Sequence, residues 1–175
     1  GEQIQTMFGN KYRSLNLSYS HEKSPLGTGG ALKYAESLFN SKYILVMNGD
    51  SYINTDLNTF CNWHEKIKAN ISIILVKKKN GNRFGKVSVN KNNEIISFYE
   101  KSKMSKSNWI NAGIYMMNRE TLKLMPREFP YSIEEQFFPA LIGKGLYGYK
   151  VESDFIDIGI PESYSKAGLF FKKLF

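Results

Sequence analysis

The chain has 175 residues, 42% of them hydrophobic and 14% aromatic, which suits one folded domain and excludes an intrinsically disordered chain. Its apolar stretches are far shorter than the roughly 18 residues of a membrane span, and its one cysteine, Cys61, excludes an internal disulfide bond. Because no secretion signal opens the sequence, we expect a cytoplasmic protein that does not contact a membrane.

The positive charge of the chain is compatible with more than one class of partner. Lys and Arg number 24 against 16 Asp and Glu, which gives a formal net charge of +8. Clustered cations bind nucleic acid, whereas a basic balance also suits small phosphorylated substrates. The few lysine clusters, such as residues 77–79 and 172–173, are typical of solvated surface. We therefore expect small anionic substrates and no nucleic acid.

Helices and strands alternate through the first part of the chain. Residues 1–9 have the spacing of a helix that stops at a glycine, and residues 15–19 alternate as a half-buried strand does. A helix with an apolar stripe is expected over residues 31–39, and Tyr43–Met47 has the composition of a fully buried strand.

The middle of the chain is richer in strands. A helix capped by Asp56 is expected over residues 56–69, and a strand follows over residues 71–76. The other expected elements are strands over residues 86–89, 94–100, 109–117 and 146–151, a helix over residues 132–142 that opens with a capping box of Ser132 and Glu135, and a last helix from Pro161.

This order predicts an α/β fold, with a mainly parallel mixed sheet flanked by helices and an added β-rich section in the middle. We find no linker or repeat, so residues 1–175 are expected to form a single domain. In open sheets of this kind, ligands bind outside the carboxyl ends of the strands. Residues that follow a strand are therefore the first candidates for chemistry.

Two aspartates occupy such positions. Asp50 follows a predicted strand directly after Gly49, and Asp157 lies between large apolar residues, where a carboxylate needs a cation or hydrogen bonds. Both should lie at the same edge of the sheet, where two carboxylates, water and substrate phosphates suit Mg²⁺. We therefore predict Mg²⁺ at Asp50 and Asp157, although an ordinary turn also explains Asn-Gly-Asp at residues 48–50.

A glycine-rich segment, residues 24–30, leads into the helix over residues 31–39. Glycines near a helix start let a ligand approach the backbone closely, and Thr28 offers a hydroxyl group. The segment lacks the Lys-Ser/Thr ending of a P-loop, and an ordinary glycine-rich turn explains it equally well.

Other polar residues near strand ends could bind a sugar or a phosphate. Glu100 and Lys101 close one predicted strand, and Asn111 lies within another. Carboxylates and amides bind sugar hydroxyl groups, and an ammonium group pairs with phosphate, but none of these residues is specific alone. His21 and His64 have no matching set of metal ligands.

Six segments that contain these residues follow one another in a characteristic order. They are Pro25-Leu26-Gly27-Thr28-Gly29-Gly30-Ala31-Leu32, Asn48-Gly49-Asp50, Arg83-Phe84-Gly85, Glu100-Lys101, Asn111-Ala112-Gly113-Ile114-Tyr115 and Asp157-Ile158-Gly159-Ile160-Pro161. As an ordered set they resemble the sugar-1-phosphate nucleotidyltransferases. The resemblance extends over the whole chain and is greatest to the bacterial guanylyltransferases that act on mannose- or heptose-type 1-phosphates.

The resemblance implies a Rossmann-like fold. It also implies a reaction in which a nucleoside triphosphate, here GTP, and a sugar 1-phosphate give an NDP-sugar and pyrophosphate. The NDP-sugar would be a precursor of bacterial surface polysaccharides. The resemblance further implies that Asp50 and Asp157 bind Mg²⁺ and that Lys101 binds the sugar phosphate. The implied binding residues are Leu26, Gly27, Thr28 and Gly49 for the nucleotide, and Gly85, Glu100 and Asn111 for the sugar. A homodimer is compatible with the Tyr and Phe content.

The start of the chain departs from the family. Its members open with a strand and a Gly-x-Gly-Thr-Arg-Leu loop, followed by Pro-Lys-Pro, which hold the triphosphate and supply a catalytic arginine and lysine. This chain begins within what resembles the family's second helix. We therefore expect an N-terminally truncated domain that lacks the first strand and loop, with poor nucleotide turnover by these 175 residues alone.

Three other functions remain open. A non-catalytic sugar-nucleotide-binding or regulatory subunit of the same fold is favoured by the missing loop and opposed by the Asp50 and Asp157 pair. A nucleic-acid-binding module rests on the net charge alone. A related glycosyltransferase is less favoured because Asp50-Ser51-Tyr52 is not the Asp-x-Asp motif of such enzymes.

Overall fold

A computed structural model describes residues 1–78, 84–99 and 107–175. The strands are β1 (Lys11–Tyr12), β2 (Leu15–Asn16), β3 (Tyr43–Met47), β4 (Ser51–Ile53), β5 (Ile71–Lys77), β6 (Lys86–Val89), β7 (Ile95–Tyr99), β8 (Trp109–Asn118), β9 (Leu146–Val151) and β10 (Phe155–Asp157). The helices are α1 (Glu2–Phe8), α2 (Gly27–Tyr34), α3 (Leu57–Ile67), α4 (Phe138–Ala140), α5 (Pro161–Tyr164) and α6 (Ala167–Lys172). Short 3-10 helices cover Ala35–Leu38 and Arg119–Leu124, and a π-helical turn covers Ile133–Phe137.

A six-stranded sheet forms the centre of the domain, and β8 is its central strand. Five of its strands follow the order β7, β6, β8, β5, β9. The sixth strand, β3, pairs with the same edge of β8 as β6 does. A second, two-stranded sheet joins β4 to β10. The α/β character and the mixed sheet agree with the expectation from sequence.

Strand pairing differs from the expected pattern. Among the described strands only β5 and β9 pair in parallel, whereas β8 is antiparallel to β3, β5 and β6. The strands β3, β5 and β9 do share one direction, as alternation with helices requires. The expectation of mainly parallel pairing is corrected because β8 lies between β3 and β5 and runs in the opposite direction.

The core lies on both faces of the sheet. Side chains alternate along β5, so that Ile71, Ile73 and Leu75 belong to one buried cluster, and Ile74 and Val76 to the other. The second cluster packs against α3, which begins as predicted at Asp56: its carboxylate accepts a hydrogen bond of 2.9 Å from the amide of Asn58. None of the helices in the described part of the chain reaches the length and hydrophobicity of a membrane span.

Two predicted strands are more exposed than their sequences indicate. The predicted strand over residues 15–19 is wrong, because only Leu15–Asn16 pairs, in a hairpin with β1, and Leu15 is 61% exposed. In β3 the predicted bounds are confirmed, but Leu45 and Met47 are 38% and 50% exposed. Within the described chain β3 has one neighbour, β8, so its other edge is uncovered.

A buried histidine makes the stability of this core depend on pH. The side chain of His64, on α3, is fully buried, and its Nδ1 lies 2.8 Å from the hydroxyl of Ser72, whereas its Nε2 has no partner among the described residues. Burial lowers the pKa of His64 from 6.5 to about 4. Between pH 6.5 and about 4, His64 is therefore protonated in the unfolded chain but neutral in the folded chain. The free energy of unfolding consequently decreases as the pH falls through that range.

We expect the free energy of unfolding to decrease between pH 7 and pH 5 by about 2 kcal/mol more in wild type than in His64→Gln, which lacks the titrating group. Urea unfolding at both pH values measures the difference. His21→Gln, at an exposed position, is the matched control and should retain the wild-type pH dependence. Equal pH dependence in wild type and His64→Gln would contradict the prediction.

Candidate active site

The site begins with an irregularity in β8. Along β5 the partner changes from Tyr115 at Ile73 to Asn111 at Leu75, so β8 bulges between these two partners. Gly113 lies in the bulge with a φ of +75°, a conformation that favours glycine. A Cβ atom there would lie 2.7 Å from the side-chain amide nitrogen of Asn48, so Gly113 is also required for packing.

Within the described part of the chain, the other edge of β8 has no paired strand between Ile110 and Ile114. Strand β3 ends opposite Ile114, and β6 begins opposite Ile110. The amide of Asn48 donates to the carbonyl of Gly113 at 2.8 Å, and the amide of Asn111 donates to the carbonyl of Gly85 at 2.9 Å. Between these two hydrogen bonds this edge of β8 has no strand partner among the described residues, which we call the gap, and Asn111 and Gly113 beside it line a cavity.

A cavity of about 280 Å³ opens at this gap. It is lined by Thr28, Asn48, Ser51, Phe84, Gly85, Asn111, Gly113, Ser132, Glu134, Glu135, Phe155 and Asp157. The lining is mostly polar, with hydroxyl, amide and carboxylate groups that can bind the hydroxyl groups of a small ligand.

The structure brings Asp50 and Asp157 together, as the sequence predicted. The amide of Ile158 donates to the carbonyl of Asp50 at 2.8 Å, and Asp157 pairs with Ser51 across β4 and β10. The Ser51 hydroxyl lies 3.3 Å from Asp50 Oδ1 and 3.4 Å from Asp157 Oδ2. The hydroxyl group therefore lies between the two carboxylates.

These two carboxylates could hold a hard cation. A Cβ atom on Gly159 would lie 3.1 Å from Asp50 Oδ2 and 3.5 Å from Asp157 Oδ1, so both carboxylates face the same small space. Oxygen ligands suit Mg²⁺, which takes one or two carboxylates and completes its shell with water and phosphate oxygens. Within the described ranges no group of three or more His, Cys, Asp or Glu side chains could hold a metal.

The glycine-rich segment packs closely against Tyr131. A Cβ atom on Gly27, whose φ is +76°, would lie 2.4 Å from the carbonyl oxygen of Tyr131, and one on Gly29 would lie 2.2 Å from the Tyr131 ring. The amide of Gly29 donates to that carbonyl at 3.1 Å, and the carbonyl of Leu26 accepts from the amide of Tyr131 at 3.0 Å. These glycines therefore admit Tyr131, and of the predicted nucleotide residues only Thr28 lines the cavity.

Gly49 lies in open space, unlike Gly27 and Gly29. A Cβ atom there would meet nothing within 4 Å, so protein packing does not require glycine at this position. Gly49 and Asp50 line a smaller cavity of about 110 Å³ beside the gap, and Ser51 lines both cavities. Gly49 and Asp50 thus lie next to the main cavity, which Thr28 and Asp157 line.

The predicted sugar residues are partly described. Gly85 and Asn111 are hydrogen-bonded neighbours on the cavity wall. Glu100 and Lys101, the predicted sugar and phosphate ligands, lie outside the described residues. The roles of all these residues stay predictions.

Two glutamates on the cavity wall, Glu134 and Glu135, were not predicted as site residues from the sequence. They lie in the first turn of the π-helical segment, and their amides donate to the hydroxyl of Ser132 at 3.2 and 3.1 Å. The predicted capping box is half right, because the amide of Ser132 donates to Oε1 of Gln136 at 2.8 Å and not to Glu135. In the sequence, these two glutamates indicate only the start of a helix and no binding role. Gly113 is different, because a glycine inside a predicted strand does indicate a bulge.

Comparison with known proteins places this geometry in a family. The profile of the nucleotidyl transferase family matches residues 1–173. The chain is 35% identical over 167 residues to D-glycero-alpha-D-manno-heptose 1-phosphate guanylyltransferase of Aneurinibacillus thermoaerophilus, covering 95% of this chain and 72% of that protein. It is 31% identical over 153 residues to mannose-1-phosphate guanylyltransferase of Mycobacterium tuberculosis, covering 86% of this chain and 43% of that protein.

A solved structure agrees with these relatives. HddC from Yersinia pseudotuberculosis superimposes with a TM-score of 0.81 at 27% identity, covering 97% of this chain and 73% of that chain. The same protein complexed with GMP-PN superimposes with a TM-score of 0.80. The chain spans about three quarters of the heptose 1-phosphate enzyme and of HddC, and less than half of the mannose enzyme. It belongs to the nucleotidyl transferase family, which is a family of enzymes.

Proposed function

We propose that this protein transfers GMP from GTP to a sugar 1-phosphate, forming a GDP-sugar and pyrophosphate for bacterial surface polysaccharides. The observation that carries the proposal is that Asp157 lines the same cavity as Gly85 and Asn111. The hydroxyl of Ser51, which also lines this cavity, lies between the carboxylates of Asp157 and Asp50. The named relatives act on heptose and mannose 1-phosphates, and HddC binds GMP-PN. These names support guanine and a manno-configured sugar.

The proposed reaction needs alignment and charge neutralisation more than a protein nucleophile. A phosphate oxygen of the sugar 1-phosphate attacks the α-phosphorus of GTP; a new P–O bond forms as the bond to the leaving pyrophosphate breaks. Gly85 and Asn111 would orient the sugar, Thr28 and Gly49 would contact the nucleotide, and Lys101 would pair with the sugar phosphate. Holding both phosphates in line supplies much of the rate because the step becomes effectively unimolecular.

We also propose Mg²⁺ as the cofactor, held by Asp50 and Asp157. Their oxygens face one space, and an all-oxygen donor set fits this ion. When bound, Mg²⁺ neutralises negative charge on the phosphates. Gly159 leaves room beside the carboxylates, since a side chain there would crowd both.

Cytoplasmic location and a homodimer stay predictions.

We expect the full-length protein to release pyrophosphate when GTP, Mg²⁺ and either D-glycero-alpha-D-manno-heptose 1-phosphate or mannose 1-phosphate are supplied together. Asp50→Asn and Asp157→Asn should each lower kcat by about a hundredfold or more, because each removes charge that stabilises the reacting phosphates. Asp154→Asn is the control, because Asp154 is an exposed residue just before β10. This variant should have the kcat of wild type.

Two results would overturn this function. Near-wild-type turnover by both aspartate variants would remove the proposed metal site. Binding of GDP-mannose by the full-length protein without turnover of any nucleoside triphosphate would instead support a non-catalytic sugar-nucleotide-binding subunit.

Gly159→Ala tests the cation site without relying on turnover. The added methyl group would lie 3.1 Å from Asp50 Oδ2, so the carboxylate must shift. We expect the Kd for Mn²⁺, measured by electron paramagnetic resonance, to rise about five- to tenfold. Gly168→Ala adds the same methyl group in α6, where nothing lies within 4 Å, and should bind Mn²⁺ as wild type does. If Gly159→Ala binds Mn²⁺ as tightly as Gly168→Ala does, the proposed cation site at Asp50 and Asp157 is contradicted.

A further inference from the structure

The hydroxyl group of Ser51 is held beside the two proposed metal ligands by the backbone. Ser51 pairs with Asp157 across β4 and β10, and the side chains of directly paired residues lie on the same face of a sheet. Asp50 precedes β4, and its carbonyl accepts from the amide of Ile158 at 2.8 Å, so the two segments stay paired beyond the strand end. Ser51 is half-buried and lines both the main cavity and the smaller one. The strand register therefore directs its hydroxyl to the space between the carboxylates.

The single proton of this hydroxyl cannot serve both carboxylates. Ser51 Oγ lies 3.3 Å from Asp50 Oδ1 and 3.4 Å from Asp157 Oδ2. A hydrogen bond from a hydroxyl to an ionised carboxylate is about 2.5–2.7 Å long, so both contacts are at least about 0.6 Å longer. Because serine donates one proton, at least one of the two carboxylate oxygens faces a lone pair of Oγ. Hydrogen bonding alone therefore makes this a weak contact.

The same spacing is close to that of oxygen ligands around a divalent cation. Mg²⁺ binds oxygens at about 2.0–2.1 Å in an octahedron, so neighbouring ligands lie about 2.9 Å apart. Ser51 Oγ reaches that distance from both carboxylates if the three groups each shift by roughly a few tenths of an ångström. A neutral hydroxyl is a suitable ligand for this ion, as the Ser or Thr of the P-loop shows.

Ser51 and Gly159 approach different oxygens of the same carboxylate pair. Ser51 lies nearest to Asp50 Oδ1 and Asp157 Oδ2, whereas a Cβ atom on Gly159 would lie nearest to Asp50 Oδ2 and Asp157 Oδ1. The amide of Gly159 donates to Asp157 Oδ1 at 3.2 Å, which is not the oxygen that faces Ser51. Gly159 thus leaves room beside the pair, and Ser51 supplies a further oxygen.

We propose that the hydroxyl oxygen of Ser51 is a third protein ligand of the cation held by Asp50 and Asp157. The inference rests on the proposed function, which assigns Mg²⁺ to these two carboxylates. A hydroxyl that binds a cation through a lone pair keeps its proton and can still donate it to one carboxylate, so ligation and the hydrogen bond are compatible. Because Ser51 also lines the main cavity, this ligand would hold the cation beside the proposed sugar site.

A change from oxygen to sulfur tests for direct ligation. Ser51→Cys nearly preserves the shape of the side chain and its proton, but a sulfur ligand favours soft metals over hard ones. In the full-length protein without nucleotide, this variant should bind Mn²⁺ about tenfold more weakly and Cd²⁺ at least about tenfold more tightly than wild type. Electron paramagnetic resonance measures the Kd for Mn²⁺, and isothermal titration calorimetry measures that for Cd²⁺. A sulfur-to-Cd²⁺ absorption band should appear in the ultraviolet, and excess Mn²⁺ should reduce it.

Two further variants complete the test. Ser51→Ala removes the ligand and leaves its place to water, so it should raise the Kd for Mn²⁺ about five- to tenfold. Ser14→Cys places the same thiol in the exposed turn between β1 and β2. This control should bind Mn²⁺ as wild type does, and excess Mn²⁺ should not reduce any absorption band that Cd²⁺ produces there.

Either of two results would overturn the inference: parallel changes in Mn²⁺ and Cd²⁺ affinity in Ser51→Cys, or a Kd for Mn²⁺ in Ser51→Ala equal to that of wild type. If Asp50→Asn and Asp157→Asn weaken Mn²⁺ binding while the Ser51 variants do not, the inference fails and the metal site of the proposed function stands. If the full-length protein binds Mn²⁺ through Ser51 but releases no pyrophosphate with either sugar 1-phosphate, the proposed function fails and ligation by Ser51 stands.

Discussion

The whole site depends on the backbone of β8 where it bulges at Gly113. A strand in the centre of a sheet normally has all its amides and carbonyls paired with two neighbours. Here the bulge displaces residues 112–114 from the register of β5, and on the opposite edge β3 stops before β6 begins. The result is a polar gap in an otherwise apolar sheet, which is the kind of place where a small hydrophilic ligand can replace missing partners.

Everything else on the cavity wall is arranged around that gap. The small sheet of β4 and β10 brings Asp50 and Asp157 to one side of it, with Ser51 between their carboxylates. The π-helical turn brings Glu134 to the other side, where Thr28 and Tyr115 hold it. Acidic groups suited to a cation and polar groups suited to sugar hydroxyls thus lie at one cavity.

The sequence predicted those parts of the fold that depend on local patterns. The bounds of β3 and β6, the Asp56 cap and the proximity of Asp50 to Asp157 all follow from apolar runs, caps and strand ends. The direction of β8 could not be predicted, because an apolar run of ten residues has the same composition in either direction.

Long-range contacts explain which features of the site could not be predicted. Tyr131 packs against glycines 27 and 29 from about a hundred residues away in the chain, and no local pattern indicates that contact. Burial of its ring raises the pKa of Tyr131 to about 12, so its hydroxyl stays neutral. Glu134 was missed for the same reason, since Thr28 and Tyr115 come to it from separate elements.

The most direct test of the account is a crystal structure of the full-length protein with GDP-mannose and Mg²⁺. We predict the sugar in the cavity at the gap, in contact with Gly85 and Asn111, with the diphosphate beside Asp50 and Asp157. Density for the sugar nucleotide elsewhere, such as the apolar cavity of about 330 Å³ lined in part by Leu124, Phe137 and Leu141, would contradict it.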